Sequence, residues 1–97
     1  MGTEAWKVKV PVDRNGGALN FDLKEIGIDE FMAVQSFIEQ KKNKEAIYCF
    51  FSCTVIGGDS VELLKKELDS NNVVPFVACD RIMNEIMRPA GYEVKKS

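Results

Sequence analysis

The chain has 97 residues, 45% of them hydrophobic and 29% charged, a balance that suits one folded domain and excludes disordered, collagen-like and coiled-coil compositions. Thirteen basic against fifteen acidic residues leave a net charge of -2, so no long-range field draws the protein toward nucleic acid or an anionic membrane. No apolar run approaches the roughly 20 residues that span a bilayer, which predicts a soluble protein folded as a single domain over 1–97.

The first elements read as strands. Val8, Val10 and Val12 alternate with Lys7, Lys9 and Pro11, and Leu19, Phe21 and Leu23 alternate with Asn20, Asp22 and Lys24. Between them Asp13-Arg14-Asn15-Gly16-Gly17 supplies residues that tolerate positive φ, so a β-hairpin over about 6–24 is predicted. Pro11 cannot donate to a ladder, which places its strand at an edge or turns that position outward. A hairpin alone is marginal in water, so downstream helices must cover Val8, Val10, Leu19 and Phe21.

From residue 29 onward the apolar spacing turns helical. A first helix is predicted over about 29–42, with Asp29 as N-cap, Phe31, Val34 and Ile38 as its apolar stripe, and Asn43 as terminator. Ala46 to Ile56 is rich in aromatic and β-branched residues that favour a strand, yet eleven extended residues would run well past ordinary strand length. A buried helix over about 45–56 is therefore predicted, closed by Gly57-Gly58. Asp59 and Glu62 have the spacing of a capping box for a third helix over about 60–70, whose stripe is Val61, Leu64 and Leu68 and which ends near Ser70-Asn71-Asn72. Pro75 suits the first turn of a last helix over about 74–88, with Phe76, Cys79, Ile82 or Met83, and Ile86 on one face, before Arg88-Pro89 stops it and a basic tail follows over 91–97. The predicted class is α+β, an N-terminal hairpin packed on a bundle of about four helices.

Reactive chemistry is sparse. Histidine is absent, which removes the commonest general base and metal ligand. The three cysteines are odd in number and sit in apolar runs, so Cys49, Cys53 and Cys79 read as unbridged packing residues in a reducing, cytoplasmic compartment. Cys49 and Cys53 share a helix face and with Cys79 and a carboxylate could begin a metal site, but a second ligand pair at the right spacing is missing. Gly57-Gly58-Asp59-Ser60 precedes a helix, where backbone donors can hold an anion, yet Asp59 would repel it. Asp59, Glu62, Asp80 and Glu85 read as surface charges, and Lys41, Lys42 and Lys44 as a solvated helix end favoured by the dipole. No catalytic residue, metal ligand set or cofactor is predicted, and the chain is read as a non-enzyme.

The whole layout resembles phage tail assembly chaperones, small proteins made alongside the tail tube and tape-measure proteins. The likeness rests on WKVKVPV opening a hairpin, NFDLKEIGIDEFMAVQ leading into a helix, AIYCFFSCTVIGGD as an apolar helix ending in two glycines, and VPFVACDRIMNEIM with EVKK behind it. It implies a non-catalytic protein that binds hydrophobic helical segments of the tape-measure protein before tail tube subunits assemble. Helix-in-groove contact through Phe37, Ile38, Val74 and Met87, and self-association through the same side chains, are what such a role implies here. The alternative is a cytosolic adaptor or regulatory subunit that offers the same surface to an unrelated protein. A small thiol or metal enzyme is the third reading, and it requires an accessible, reactive Cys.

Overall fold

A computed structural model describes residues 6–87; the predicted Arg88-Pro89 stop and the 91–97 tail lie outside them. Strands β1 (Trp6–Pro11) and β2 (Ala18–Leu23) are followed by helices α1 (Ile28–Glu39) and α2 (Asn43–Thr54). Strand β3 (Val55–Gly58) and helices α3 (Val61–Asp69) and α4 (Val73–Met87) complete the order. The class is α+β, as the patterning predicts: an N-terminal hairpin, joined by a third strand, packed on four helices.

The hairpin forms for the reasons its sequence suggests. Val8 pairs with Phe21 and Val10 with Leu19, putting the apolar sets of both strands on one face. Asp13 organises the turn by accepting from the backbone N–H groups of Asn15 (2.8 Å) and Gly17 (2.9 Å), while Gly16 takes a φ of +100°. Lys7, Lys9 and Pro11 face outward, and Lys7 bridges to Asp22 across the pair at 3.2 Å.

The sheet departs from expectation in having three strands, in the order β1-β2-β3. The predicted 45–56 helix begins and ends two residues earlier, and Val55 to Gly58 turn extended and pair antiparallel with β2. The free edge of β2 is the cause, because its backbone groups need partners. Lys24 N–H first donates to the Thr54 carbonyl at 2.8 Å, and Phe21 and Asp22 then pair with Gly58 and Gly57 across a bulge. Gly58, at φ +94°, lies where a Cβ would overlap the Asn20 carbonyl oxygen. The two glycines therefore permit close strand approach and do not cap a helix.

Three predicted caps are also reassigned. Gly27, not Asp29, is the N-cap of α1, and Asp29 and Glu30 instead sit in the first turn, where the helix dipole favours them. Asn43 opens α2, because α1 has already closed: Lys41 takes φ +63°, its N–H donates to Ile38 O, and Lys42 N–H donates to Phe37 O, the paired bonds of a Schellman closure. Asn71, at φ +62°, closes α3 in the same way through Leu68 O and Glu67 O. Ser60, not Asp59, caps α3 by accepting from Glu62 N–H at 3.1 Å. Asp59 is held by β2, its N–H donating to Asn20 O (2.7 Å) and its carboxylate accepting from Asn20 N–H (2.8 Å).

Helix α2 is the hub, packing on α1, α3 and α4. Its Ala46, Ile47, Phe50, Phe51 and Thr54 are buried, and the Thr54 hydroxyl is satisfied by donating to Phe50 O at 2.8 Å. Phe51 stands edge-on to both Phe21 of the sheet and Phe50, with ring centroids 5.5 and 5.4 Å apart. Val10, Leu23, Leu64, Leu68, Cys79 and Met83 close the core around them. Pro75 lies buried in the first turn of α4, where its missing N–H is not needed.

Candidate functional site

Each polar candidate has a local structural occupation or lies in solvent. Asp59 is spent on the β2 backbone, while Glu62, Asp80 and Glu85 are exposed. Lys44 donates to Asn71 Oδ1 at 3.1 Å, tying the start of α2 to the end of α3. Among the described residues no group of three or more His, Cys, Asp or Glu side chains converges as a metal site, and Cys79 does not join Cys49 and Cys53.

The thiols differ in setting. Cys79 is fully buried, and burial first, with the Asp80 charge second, pushes its pKa up from 9.0 to about 12. Cys49 and Cys53 are half-buried, one turn apart on α2. Burial also raises the Cys53 pKa, followed by the neighbouring Cys49 charge and hydrogen bond and by Glu30, with Lys24 opposing. A raised pKa leaves less thiolate at neutral pH and hence a weaker nucleophile.

The four predicted contact residues lie at the end of α1 and at the two ends of α4. Phe37 and Ile38 finish α1; Phe37 is half-buried against the core, and Ile38 is 36% exposed. Val74 lines an open groove of about 370 Å³ between Pro11 on the β1 edge and Val77 and Ile82 of α4, with Arg81 and Glu85 at its polar margin. Met87 ends α4, half-buried against the core. At 1.5 Å rise per residue Val74 and Met87 stand about 20 Å apart along that helix.

Exposed apolar side chains also lie elsewhere on α1, as Val73 (65%) and Val77 (50%) do one turn apart on α4. Ile28 and Met32 are 57% and 61% exposed and one turn apart, about a quarter of a turn around the helix from the Phe31, Val34 and Ile38 stripe. Helix α1 packs chiefly on α2 and buries only Val34 completely, which leaves its outer side open. The sequence signal for these residues is present, since Ile28 and Met32 stand at i and i+4 off the best stripe, but the stronger stripe masks it.

Comparison with protein-family models, curated proteins and solved structures returns no match for this chain. No helix among the described residues is long and apolar enough to cross a membrane. What the fold and surface define is thus a class: a small α+β domain with a closed core, its polar groups engaged locally or solvated, and apolar side chains offered from α1 and α4.

Proposed function

We propose that this chain is a non-catalytic protein-binding domain that acts as a tail assembly chaperone, holding apolar helical segments of a tape-measure protein. The observation that carries the binding role is the outer side of α1, where Ile28 and Met32 stand more than half exposed on a helix supported from one side. Exposed apolar residues grouped at helical spacing have no stabilising part in the isolated domain, and they gain free energy when a second apolar helix covers them. The choice of partner class rests on the whole-chain resemblance.

Co-expression with a hydrophobic helical fragment of the tape-measure protein from the same genome tests the reading. The fragment is expected to stay soluble with the native chain and to precipitate with Met32→Glu, whose own stability changes by only about 0.5 kcal/mol because the site is on the surface. A fragment that is equally insoluble with and without the native chain defeats the proposal.

A further inference from the structure

Cys49 and Cys53 are one turn apart on the regular helix α2, on the same side of it, and both are half-buried. Side chains at i and i+4 of a helix have Cβ atoms about 5–6 Å apart, whereas a disulfide needs about 3.5–4.5 Å. The pair cannot cross-link without unwinding the turn between them. It can share one bridging atom, because side chains at i and i+4 lie on one helix face and rotation about their Cα–Cβ bonds brings both sulfurs to a common centre without moving the backbone.

The donor count selects the chemistry of that centre. A tetrahedral zinc wants four protein ligands or three with a water, and no third His, Cys, Asp or Glu among the described residues converges on the pair. A trivalent arsenical carrying one organic group needs only two sulfurs. We propose that Cys49 and Cys53 form a chelating dithiol site for a soft, thiophilic centre of the trivalent arsenical class. In the binding step two As–S bonds form and two As–O bonds of the arsonous acid break, and the two thiol protons leave in two molecules of water. Arsenic stays trivalent and no oxidant is consumed.

Cys79 is an internal control, since it lies fully buried in the core on a different helix. Phenylarsine oxide is the probe, titrated into the folded, reduced chain, with unblocked thiols counted by a disulfide reagent after denaturation and circular dichroism recorded throughout. The expected result is about one equivalent bound, Cys49 and Cys53 blocked and Cys79 free, with release by a small dithiol and not by a monothiol. Cys53→Ser and Cys49→Ser each lower the affinity by roughly a hundredfold or more, the usual gain from a second tethered contact, while Cys79→Ser leaves it unchanged. Folded Cys53→Ser that holds the probe as tightly as the native chain, or blocking of Cys49 and Cys53 that begins only on unfolding, overturns the proposal.

Discussion

Gly58 carries a φ of +94° with its α-carbon against the β2 backbone, so a methyl group there would press on the Asn20 carbonyl and stand 2.9 Å from Phe21 Cα. Both obstacles are backbone and cannot swing aside. Gly58→Ala is therefore expected to cost about 2–3 kcal/mol, combining the left-handed penalty with the clash, as read by urea denaturation. Gly57→Ala meets only the flexible Asp22 side chain at 3.0 Å and is the milder control. Equal, small effects at both positions would mean that β3 does not lie against β2 in this way. That this pair of glycines is special was legible in the sequence, because consecutive glycines mark a backbone that needs room. Their task was not, because a helix cap and a close strand contact ask for the same residue. Asp59 is a similar case: its carboxylate fits an N-cap, but the nearby Asn20 N–H takes it first and leaves the cap to Ser60.

At the scale of elements, α1 and α2 have similar lengths and unequal support. Helix α2 buries five residues among three other helices, whereas α1 buries Val34 and leans chiefly on α2. Local stability follows buried apolar contact, so the amides of α1 are expected to exchange with deuterium well before those of α2, through openings that leave the rest folded. Uniform protection over both helices would refute this ranking. Element boundaries were legible wherever a periodic apolar stripe was long, as in the last helix with Cys79, Met83 and Ile86 buried on one face. They slipped at residues that serve two roles. Lys41 holds a left-handed φ of +63° that Asn or Gly occupies more cheaply, so the closure of α1 gave no compositional sign, and Asn43 was free to open α2.

For the whole molecule, the buried thiol of Cys79 links folding to pH. Its pKa rises from 9.0 to about 12 on burial, so the folded state holds this proton more tightly than the unfolded chain. The contribution is complete below pH 9. Between pH 9 and 12 the unfolded chain releases the proton and the folded one keeps it, and stability falls by about 1.4 kcal/mol for each pH decade from this group. Chemical denaturation at several alkaline pH values is expected to show that decline, with a shallower slope in Cys79→Ala even though its absolute stability is lower. Matching slopes in the two proteins would show that the thiol is not confined in the core. The Cys53 shift has the same sign and remains in both chains, so the difference between slopes isolates Cys79.

By itself the sequence determined the hairpin and its apolar face, the presence of four helices, the central place of the segment around Phe50 and the inward position of Cys79, because each depends on local periodicity and on the need to bury apolar surface. Only the tertiary structure decided that Val55 to Gly58 would leave the helix for the sheet, and that Ile28 and Met32 would stay uncovered. A strand edge is satisfied by whichever segment the fold brings alongside it, and a helix face is covered or left open according to how many neighbours the packing supplies. Both depend on residues far apart in the chain, and local pattern carries no record of that distance.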